Sequence, residues 1–318
     1  MLKQLFKYSP SPRNLFEDGF IRLSQLAVLN DPFEASFCSS SLDDLASNFD
    51  YQHAQDSEFG EIGFSDYVAL RVHNVGIISL SENKENLLMW AHYANEHKGV
   101  VAGIVYDPIL GSIFEKIFRA DALINNSLTE EFSPFNGVPK PVSYRKGLRY
   151  RNDRFDYDYS NIEAEGSDRI LYEILMQKSD EWIYEQEYRV VLRLEQADRV
   201  IIENMRNIEN KKIQENIMEL GCFSINKIDN SCTIDLHKIE DDAMRVVIAI
   251  ELAKLSRNSN TIYLMKLNAS CINNCLIGLK SMFQKIDVQG KFAMSVGYLD
   301  VWKAVKNSDY YSLEFMKL

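Results

Sequence analysis

The residues best suited to chemistry lie in the stretch EWIYEQEYRVVLRL, which runs from Glu181 to Leu194. Its residues alternate with a period of two, which predicts a β-strand. Two carboxylates at close range repel each other, and a neighbouring guanidinium can hold both of them ionised. A strand face that carries carboxylates beside a guanidinium can do catalytic chemistry. Alternatively, its charges can pair across strands on a solvated surface. One face then carries Glu185, Glu187, Arg189 and Arg193, and the other carries Tyr184, Gln186, Tyr188, Val190 and Leu192.

A predicted turn early in the chain presents a further carboxylate. In the stretch LNDPFEASF, Asn30 and Asp31 precede Pro32, whose ring fixes the backbone of the turn. Phe33 and Glu34 follow, and the turn sets their direction. The alternative is a purely structural role, in which the segment forms an Asx-type turn with a buried Phe33.

Another candidate face lies on a helix predicted from Asn83, as N-cap, to Lys98, between strands at Val75 to Leu80 and Val100 to Tyr106. His92 and Glu96 are four residues apart and can pair, although a lone helix histidine is also typical of a structural residue. One side of the helix carries Leu87, Trp90, Ala91 and Ala94, and the other carries Met89, His92, Tyr93 and Glu96.

Residues 139 to 154 form a basic segment with interleaved tyrosines, Tyr144 and Tyr150. Arginine and aromatic side chains together can hold phosphates and stack bases. An acidic run follows directly, so the alternative is two runs that neutralise each other in a solvated loop. The basic residues are Lys140, Arg145, Lys146, Arg149, Arg151 and Arg154.

Composition limits the classes of protein. The 318 residues are 46% hydrophobic, which is typical of a globular chain, and the net charge of -11 argues against a protein that binds nucleic acid by its overall field. There is no apolar run that could cross a bilayer and no signal peptide, so we expect a cytoplasmic protein. Five scattered cysteines indicate reduced thiols, and no metal site is predicted from them. The motifs of P-loop, Rossmann, zinc-protease and serine-hydrolase sites are missing.

The fold predicted from these patterns is α+β, with a central, mainly antiparallel sheet flanked by helices. Residues 1–200 are expected to form the core that carries all motifs, and 201–318 an α/β extension. The expected opening is a strand at Gln4 to Tyr8, a helix capped by Ser11 and ended by Gly19, and a strand at Phe20 to Ser24. Later helices are expected over 168–178, 201–220 and 270–283, and β-branched runs lie at 245–250 and 261–267.

Four sequence boxes together resemble a bacterial family of uncharacterised proteins that is defined by an NDPF box, a W-x-H-Y helix and a W-x-Y-E-x-E-x-R strand. The resemblance covers about residues 1 to 195. The boxes in this chain are LFKY near Lys7, NDPFE at Asn30 to Glu34, MWAHY at Met89 to Tyr93 and WIYEQEYR at Trp182 to Arg189.

The chain also resembles ADP-ribosyltransferases, including DarT-like toxins. These enzymes begin with a strand that contacts nicotinamide, continue through a short helix that ends in glycine, and place a catalytic glutamate on a later strand. Lys7 or Tyr8 occupies the first position, where histidine or arginine is usual, Gly19 ends the helix, and Glu187 matches the glutamate. The resemblance implies NAD as substrate, an acceptor that is nucleic acid or protein, and a toxin or phage-defence context.

In such a reaction the nicotinamide–ribose bond breaks through an oxocarbenium-like state, which a carboxylate stabilises. Glu187 would stabilise that state, Glu185 would orient or deprotonate the acceptor, Arg189 would keep the pair ionised, and His92 would approach from the helix. The basic segment, with Arg145, Lys146, Arg149 and Arg151, would receive a nucleic-acid acceptor. The residues expected to contact the nucleotide are Lys7, Tyr8, Asn30, Asp31, Phe33, Glu34, Trp90, Tyr93 and Tyr184.

Two other functions fit the same residues. A nuclease could use Glu34, Glu185 and Glu187 as magnesium ligands for phosphodiester cleavage. Alternatively, the boxes could be structural parts of a non-enzymatic binding or sensor module. Metal dependence separates the first alternative from glycosyl transfer, because transfer from NAD needs no metal.

Overall fold

The computed structural model describes residues 2–45, 64–108, 112–118, 134–149, 164–290, 292 and 299–318. The helices in these ranges are α1 (Ser39–Leu45), α2 (Phe64–Arg71), α3 (Leu87–Tyr93), α4 (Ala164–Leu175), α5 (Lys211–Glu219), α6 (Asp242–Ala253) and α7 (Lys285–Val288). The strands are β1 (Lys3–Ser9), β2 (Phe20–Gln25), β3 (Val75–Ser81), β4 (Val100–Tyr106), β5 (Lys140–Pro141), β6 (Ser143–Arg145), β7 (Gln177–Ser179), β8 (Glu187–Arg193), β9 (Arg199–Ile202), β10 (Phe223–Ile225), β11 (Cys232–Ile234), β12 (Ile262–Lys266), β13 (Ile272–Ile277), β14 (Asp300–Lys306) and β15 (Leu313–Lys317).

Thirteen of the fifteen described strands build one large, mainly antiparallel sheet, and β6 and β7 form a separate two-stranded parallel sheet. The predicted α+β fold is confirmed. The strand order is β10-β11-β9-β12-β2-β3-β1-β4-β13-β14-β15, and β8 pairs with both β3 and β5. Strands of residues 201–318 lie in the same sheet as the strands of residues 1–200, because β12 pairs with β2 and β13 pairs with β4. The predicted boundary near residue 200 therefore falls within a continuous sheet.

The sheet is split along one edge of β3. On its other edge β3 pairs with β8 along its whole length, from Val75 to Ser81. On the split edge β2 pairs only near the start of β3, at Ile77 and Gly76, and β1 pairs only at its end, at Ser81. The backbone around Ser79 thus faces a gap between β1 and β2. A sheet edge without a strand partner leaves polar backbone groups that another group can bind.

The opening unit has the predicted order of strand, short helix and strand. The helix spans Arg13–Asp18 and is of π type, and Pro12 occupies its cap position instead of the predicted Ser11. Ser11 still contributes, since its hydroxyl accepts a hydrogen bond from the Arg13 N–H at 3.3 Å. Gly19 ends the helix in a left-handed conformation with φ of 73°, a conformation that favours glycine.

The predicted strand from Glu181 to Leu194 is shorter than expected. A 3₁₀-helix occupies Asp180–Glu185, and the Ser179 hydroxyl caps it by accepting from the Glu181 N–H. Gln186 follows with φ of 46°, and β8 begins only at Glu187. Ser179 is a favourable N-cap and two acidic residues stand in the first turn, so local helix signals outweigh the alternation there.

Helix α3 is also shorter than predicted. Its N-cap is Asn86, whose side chain accepts from two backbone N–H groups, and the helix ends at Tyr93 instead of Lys98. Three successive residues, Asn95, Glu96 and His97, then have positive φ values of 47°, 54° and 69°. This left-handed turn lets the Gly99 N–H donate to the Ala94 carbonyl and stacks the His97 ring on Trp90.

Several predictions for the C-terminal part are wrong. Residues 201–220 contain the end of β9 and the separate helix α5, which Asn210 caps. The β-branched run 245–250, for which no element was predicted, is helical and lies inside α6, whose N-terminus the Asp241 side chain caps. The helix expected over 270–283 is replaced by β13, whose INNCLI sequence is largely buried between β4 and β14. Short apolar runs do not distinguish a buried strand from a helix.

All five cysteines are free thiols, as predicted. Within the described ranges, no helix combines the length and the apolar character that crossing a membrane would require.

The left-handed turn after α3 gives a stability test at Glu96, whose side chain is 73% exposed. We expect Glu96→Gly to be more stable than Glu96→Ala by about 1 kcal/mol, because only alanine keeps the strain of a Cβ at positive φ. At the exposed helical position Glu215 the order is the reverse, with glycine less stable by about 1 kcal/mol. Urea denaturation of the four variants measures both differences. The same order at both positions would contradict this conformation.

Candidate functional site

A cavity of about 200 Å³ opens at the split between β1 and β2. Its walls come from β1, β2, β3, β8, α3, the turn after β2 and the segment that precedes β8. The structure brings most of the predicted site residues together here. Those that line the cavity are Lys7, Tyr8, Asn30, Asp31, Glu34, Tyr93, Glu185, Glu187 and Arg189.

Arg189 lies at the centre of the site and is 1% exposed. Its Nε and Nη2 donate to the two carboxylate oxygens of Glu187, at 2.9 and 3.1 Å. Its Nη1 donates to Glu34 and to the Leu175 carbonyl. One guanidinium thus joins a carboxylate of β8 to a carboxylate of the NDPFE turn. The bidentate geometry fixes the orientation of Glu187 as well as its charge.

Lys178 is the second cation of the site, and it is not among the site residues predicted from the sequence. Its Nζ donates to Glu185 at 2.6 Å and to Glu187 at 3.1 Å, and it lies 4.9 Å from the centre of the Trp182 ring. This residue ends the helix that the sequence predicts over 168–178. It belongs instead to β7, which pairs with β6 and directs it toward the two glutamates. The spacing of residues in the sequence does not indicate that β6 pairs with β7.

These cations decide the ionisation of Glu187. Burial opposes the charge of Glu187, but Arg189 and Lys178 outweigh it and lower its pKa to about 2. The same attraction outweighs burial at Arg189 and Lys178 and raises the pKa of both. For Glu34, burial is the largest effect and raises the pKa, although the guanidinium favours the charged form. Glu187 therefore holds its charge more firmly than Glu34.

Glu185 reaches the site through the 3₁₀-helix that precedes β8. Its carboxylate accepts a hydrogen bond of 2.6 Å from the Tyr93 hydroxyl, and its carbonyl accepts one of 2.7 Å from the Ser81 hydroxyl. Burial, together with the Glu185 carboxylate, raises the pKa of Tyr93, so the phenol stays protonated and donates. The Tyr144 hydroxyl accepts from the Glu187 N–H at 2.8 Å. Hydrogen bonds thus hold both the carboxylate and the backbone of Glu185 and of Glu187.

Lys7 occupies the gap in the sheet. Its Nζ donates to the Ser79 carbonyl at 3.0 Å, where β3 lacks a strand partner on the split edge. Burial lowers the pKa of Lys7 to about 8, although the charge of Glu187 opposes that change. Within the described part of the chain, the Lys7 ammonium forms no ion pair with a carboxylate. It is therefore a cation available to an anionic ligand.

The NDPFE turn is an Asx turn, because Asp31 Oδ1 accepts from the Phe33 N–H at 2.9 Å. Phe33 is 63% exposed, so the alternative of a buried Phe33 is wrong. Asp31 is buried, and its Oδ2 has no hydrogen-bond partner among the residues that the structure describes. Since Asp31 lines the cavity, this buried oxygen is an unsatisfied acceptor beside it.

Four predicted site residues do not line the cavity. Phe33 and His92 are both exposed on the surface. Trp90 is fully buried, and its Nε1 donates to the Lys84 carbonyl at 2.8 Å. Tyr184 packs against Trp182 outside the cavity lining.

The predicted pairing of His92 with Glu96 is wrong, and Arg193 pairs outside the site. Glu96 pairs with Lys98 at 2.8 Å instead of His92, because the left-handed turn carries it away from the helix face. Arg193, on the same face of β8 as Glu187, pairs with Asp168 outside the cavity.

The basic segment is only partly described. Arg145 ends β6, Lys146 is exposed and lies 3.7 Å from Asp180, and Arg149 is exposed. Arg151 lies outside the described residues, as do Tyr150 and Arg154.

Metal binding finds no support in this geometry. Glu34 and Glu187 contact Arg189, and Glu185 and Glu187 contact Lys178, so each carboxylate already has a cation. Among the described residues no cluster of histidine, cysteine or acidic side chains is arranged to hold a metal ion. A divalent cation would have to displace two ammonium or guanidinium groups.

We expect Lys178→Met to destabilise the fold by roughly 3 kcal/mol, because Glu185 and Glu187 would stay buried and close together without the cation between them. As a control, Lys212→Met removes an exposed lysine that lies 3.7 Å from Glu215 and should cost less than about 0.5 kcal/mol. Urea denaturation at neutral pH compares the two. Equal losses would show that Lys178 does not hold the glutamates.

A protein-family model matches part of the chain. A family model described as "Protein of unknown function (DUF2971)" matches residues 89–190, about a third of the chain. By position, this segment contains the MWAHY and WIYEQEYR boxes, while LFKY and NDPFE precede it. Neither the curated proteins nor the solved structures include a match. The resemblance to ADP-ribosyltransferases stays a prediction.

Proposed function

We propose that the cavity binds the nicotinamide riboside end of NAD and that the protein transfers the ADP-ribosyl group to an acceptor. The observation that carries this proposal is the ionised Glu187 in the cavity wall, with its pKa lowered to about 2. A carboxylate that is fixed and charged before the ligand arrives can stabilise a developing oxocarbenium ion without reorganisation.

The shape of the site supports a ligand that is only partly enclosed. A volume of about 200 Å³ is below the usual range for a whole cofactor pocket, so the cavity takes the reacting end of the dinucleotide. Asp31 Oδ2 would accept from a ribose hydroxyl, since hydroxyl groups donate to carboxylates. Lys7 would face the negative charge of the diphosphate.

The reaction would break the bond between ribose C1′ and the nicotinamide nitrogen, whose electron pair leaves with nicotinamide. A nucleophilic atom of the acceptor would then bond to C1′ and release its proton. Glu185 would take that proton, because it lines the cavity beside Glu187. Tyr93 and Lys178, which bond to the Glu185 carboxylate, would position it.

The acceptor class in this proposal is nucleic acid, with protein as the alternative. Lys146 and Arg149 are exposed and Arg145 precedes them on β6. Such a segment can contact phosphates locally although the net charge of the whole chain is negative. A toxin or phage-defence role belongs to the same proposal.

The first test is release of nicotinamide from NAD by the purified chain in the presence of EDTA. We expect turnover by the wild type and a loss of at least about 100-fold in Glu187→Gln and Glu187→Asp, since the fixed carboxylate is removed or displaced. Glu187→Asp keeps a negative charge beside Arg189 and Lys178, so it should stay folded. A loss of activity in this variant therefore cannot be explained by unfolding.

Asp198→Asn is the matched control, because Asp198 is a buried carboxylate that pairs with Arg245 outside the cavity. It should lose stability and keep turnover per folded molecule. Unchanged turnover in both folded Glu187 variants would overturn the assignment. Cleavage of nucleic acid that requires magnesium would favour the nuclease, and neither activity would favour a binding module.

A second test uses the pKa of Lys7, which burial lowers to about 8. The ammonium is charged below that pH and loses its charge above it, so NAD should bind more weakly as the pH rises from 7 to 9, by roughly tenfold. Lys7→Arg should keep binding at pH 9, and Lys7→Met should bind weakly at both values. Calorimetric titration measures the affinities. A wild-type affinity that does not change with pH would contradict this role.

A further inference from the structure

Two basic side chains stand on the two sides of the gap between β1 and β2. On the β1 side, the Lys7 ammonium donates to the Ser79 carbonyl of β3 at 3.0 Å. On the β2 side, Ser24 pairs with Ile77 of β3 in an antiparallel register. Continuing that register by two residues places Arg22 level with Ser79. Both side chains therefore belong to the stretch of β3 that lacks a strand partner.

Arg22 is a half-buried arginine whose charge has no partner. Its Nε is shielded from solvent and has no hydrogen-bond acceptor among the residues that the structure describes. Burial lowers the pKa of Arg22, and in the same part of the chain no carboxylate lies close enough to oppose that change. A buried polar group without a partner costs folding free energy, so its presence calls for an explanation.

The second unpaired cation lies beside the first. The positive charge of Arg22 contributes to the lowered pKa of Lys7, so the two groups are near enough to repel each other. The remaining cations of the site differ in this respect, because Arg189 and Lys178 each contact two carboxylates. Two adjacent cations that lack carboxylate partners among the described residues form a surface suited to an anion.

We propose that Lys7 and Arg22 together form an anion site that binds a phosphate group. A guanidinium can donate two parallel hydrogen bonds to a phosphate, and an ammonium can bind the same group as a compact charge. Two positive charges also match the charge of a phosphate dianion. Glu187 acts on Lys7 as well and repels an anion, so the phosphate should lie on the Arg22 side of Lys7.

The anion site adjoins the cavity. Lys7 and Ser24 line the cavity, and Arg22 shares the face of β2 that carries Ser24, because residues two apart on a strand point the same way. A free inorganic anion and a nucleotide offer the same phosphate chemistry to this site. If the ligand is NAD, its diphosphate would occupy the site, and that assignment alone rests on the proposed function.

The test is a calorimetric titration of the full chain with inorganic pyrophosphate in the presence of EDTA. We expect Arg22→Met to bind pyrophosphate at least about tenfold more weakly than the wild type, because the guanidinium is lost. Arg22→Lys should fall between them, since lysine keeps the charge without the planar fork. The matched control is Arg206→Met, which removes the same charge at an exposed position outside the cavity and should leave the affinity unchanged.

Two further ligands separate the sources of the phosphate. ADP-ribose should bind at least about tenfold more tightly than pyrophosphate if the site serves a nucleotide, whereas equal affinities would assign it to a free anion. In either case Arg22→Met should weaken the binding of both ligands. Nicotinamide riboside carries no phosphate, so its affinity should be the same in the wild type and in Arg22→Met.

A second measurement needs no ligand. The pKa of Lys7, followed by NMR of labelled lysine with Lys7→Arg for assignment, should rise in Arg22→Met because a neighbouring positive charge is removed. An unchanged Lys7 pKa would overturn the proposal, since the two cations would be too far apart to share a phosphate. Equal pyrophosphate affinities of the wild type and Arg22→Met would overturn it too. Binding that depends on Arg22, without release of nicotinamide from NAD, would uphold the anion site and reject only the transfer reaction.

Discussion

The buried guanidinium of Arg189 is the interaction on which the site depends. It bonds to Glu187 with two donors and to Glu34 with a third, and so it ties strand β8 to the NDPFE turn. A buried arginine without partners would be costly, and so would a buried glutamate without a cation. Each group therefore requires the others. Lys178 extends the arrangement to Glu185, and Tyr93 extends it to helix α3.

The split in the sheet gives these charges access to a ligand. Where β1 and β2 diverge along β3, the chain exposes an edge that Lys7 partly fills, and the cavity forms at the same place. The cavity thus has a fixed, ionised Glu187, an unsatisfied buried acceptor at Asp31 and a cation at Lys7 that forms no ion pair with the described residues. Such a combination suits a ligand that has hydroxyl groups, negative charge and a centre that becomes positive during reaction.

The sequence predicts part of this site for physical reasons that can be named. Glu187 and Arg189 share a face because β8 has a period of two, and Gly19, Val75 to Leu80 and Val100 to Tyr106 follow simple turn and strand rules. Glu185 reaches the site for a different reason, since it lies in the 3₁₀-helix before the strand.

Other parts depend on tertiary contacts that spacing does not encode. Lys178 joins the glutamates through the pairing of β6 with β7. His92 lies outside the cavity because α3 ends at Tyr93 and the chain turns left-handed. β13 is a strand because its apolar residues are buried between two other strands, although Cys271 and Cys275 have a helical spacing.

The most direct test of the account is the titration of Glu187 itself, by ¹³C NMR of labelled glutamate carboxyl groups with Glu187→Gln for assignment. Because Arg189 and Lys178 hold its charge, we expect the Glu187 carboxyl signal to stay at its ionised position from pH 7 down to about 3, where ordinary glutamates with a pKa of about 4.3 have been protonated. A midpoint for Glu187 near that ordinary value would show that Arg189 and Lys178 do not hold its charge. It would remove the basis of the proposed chemistry.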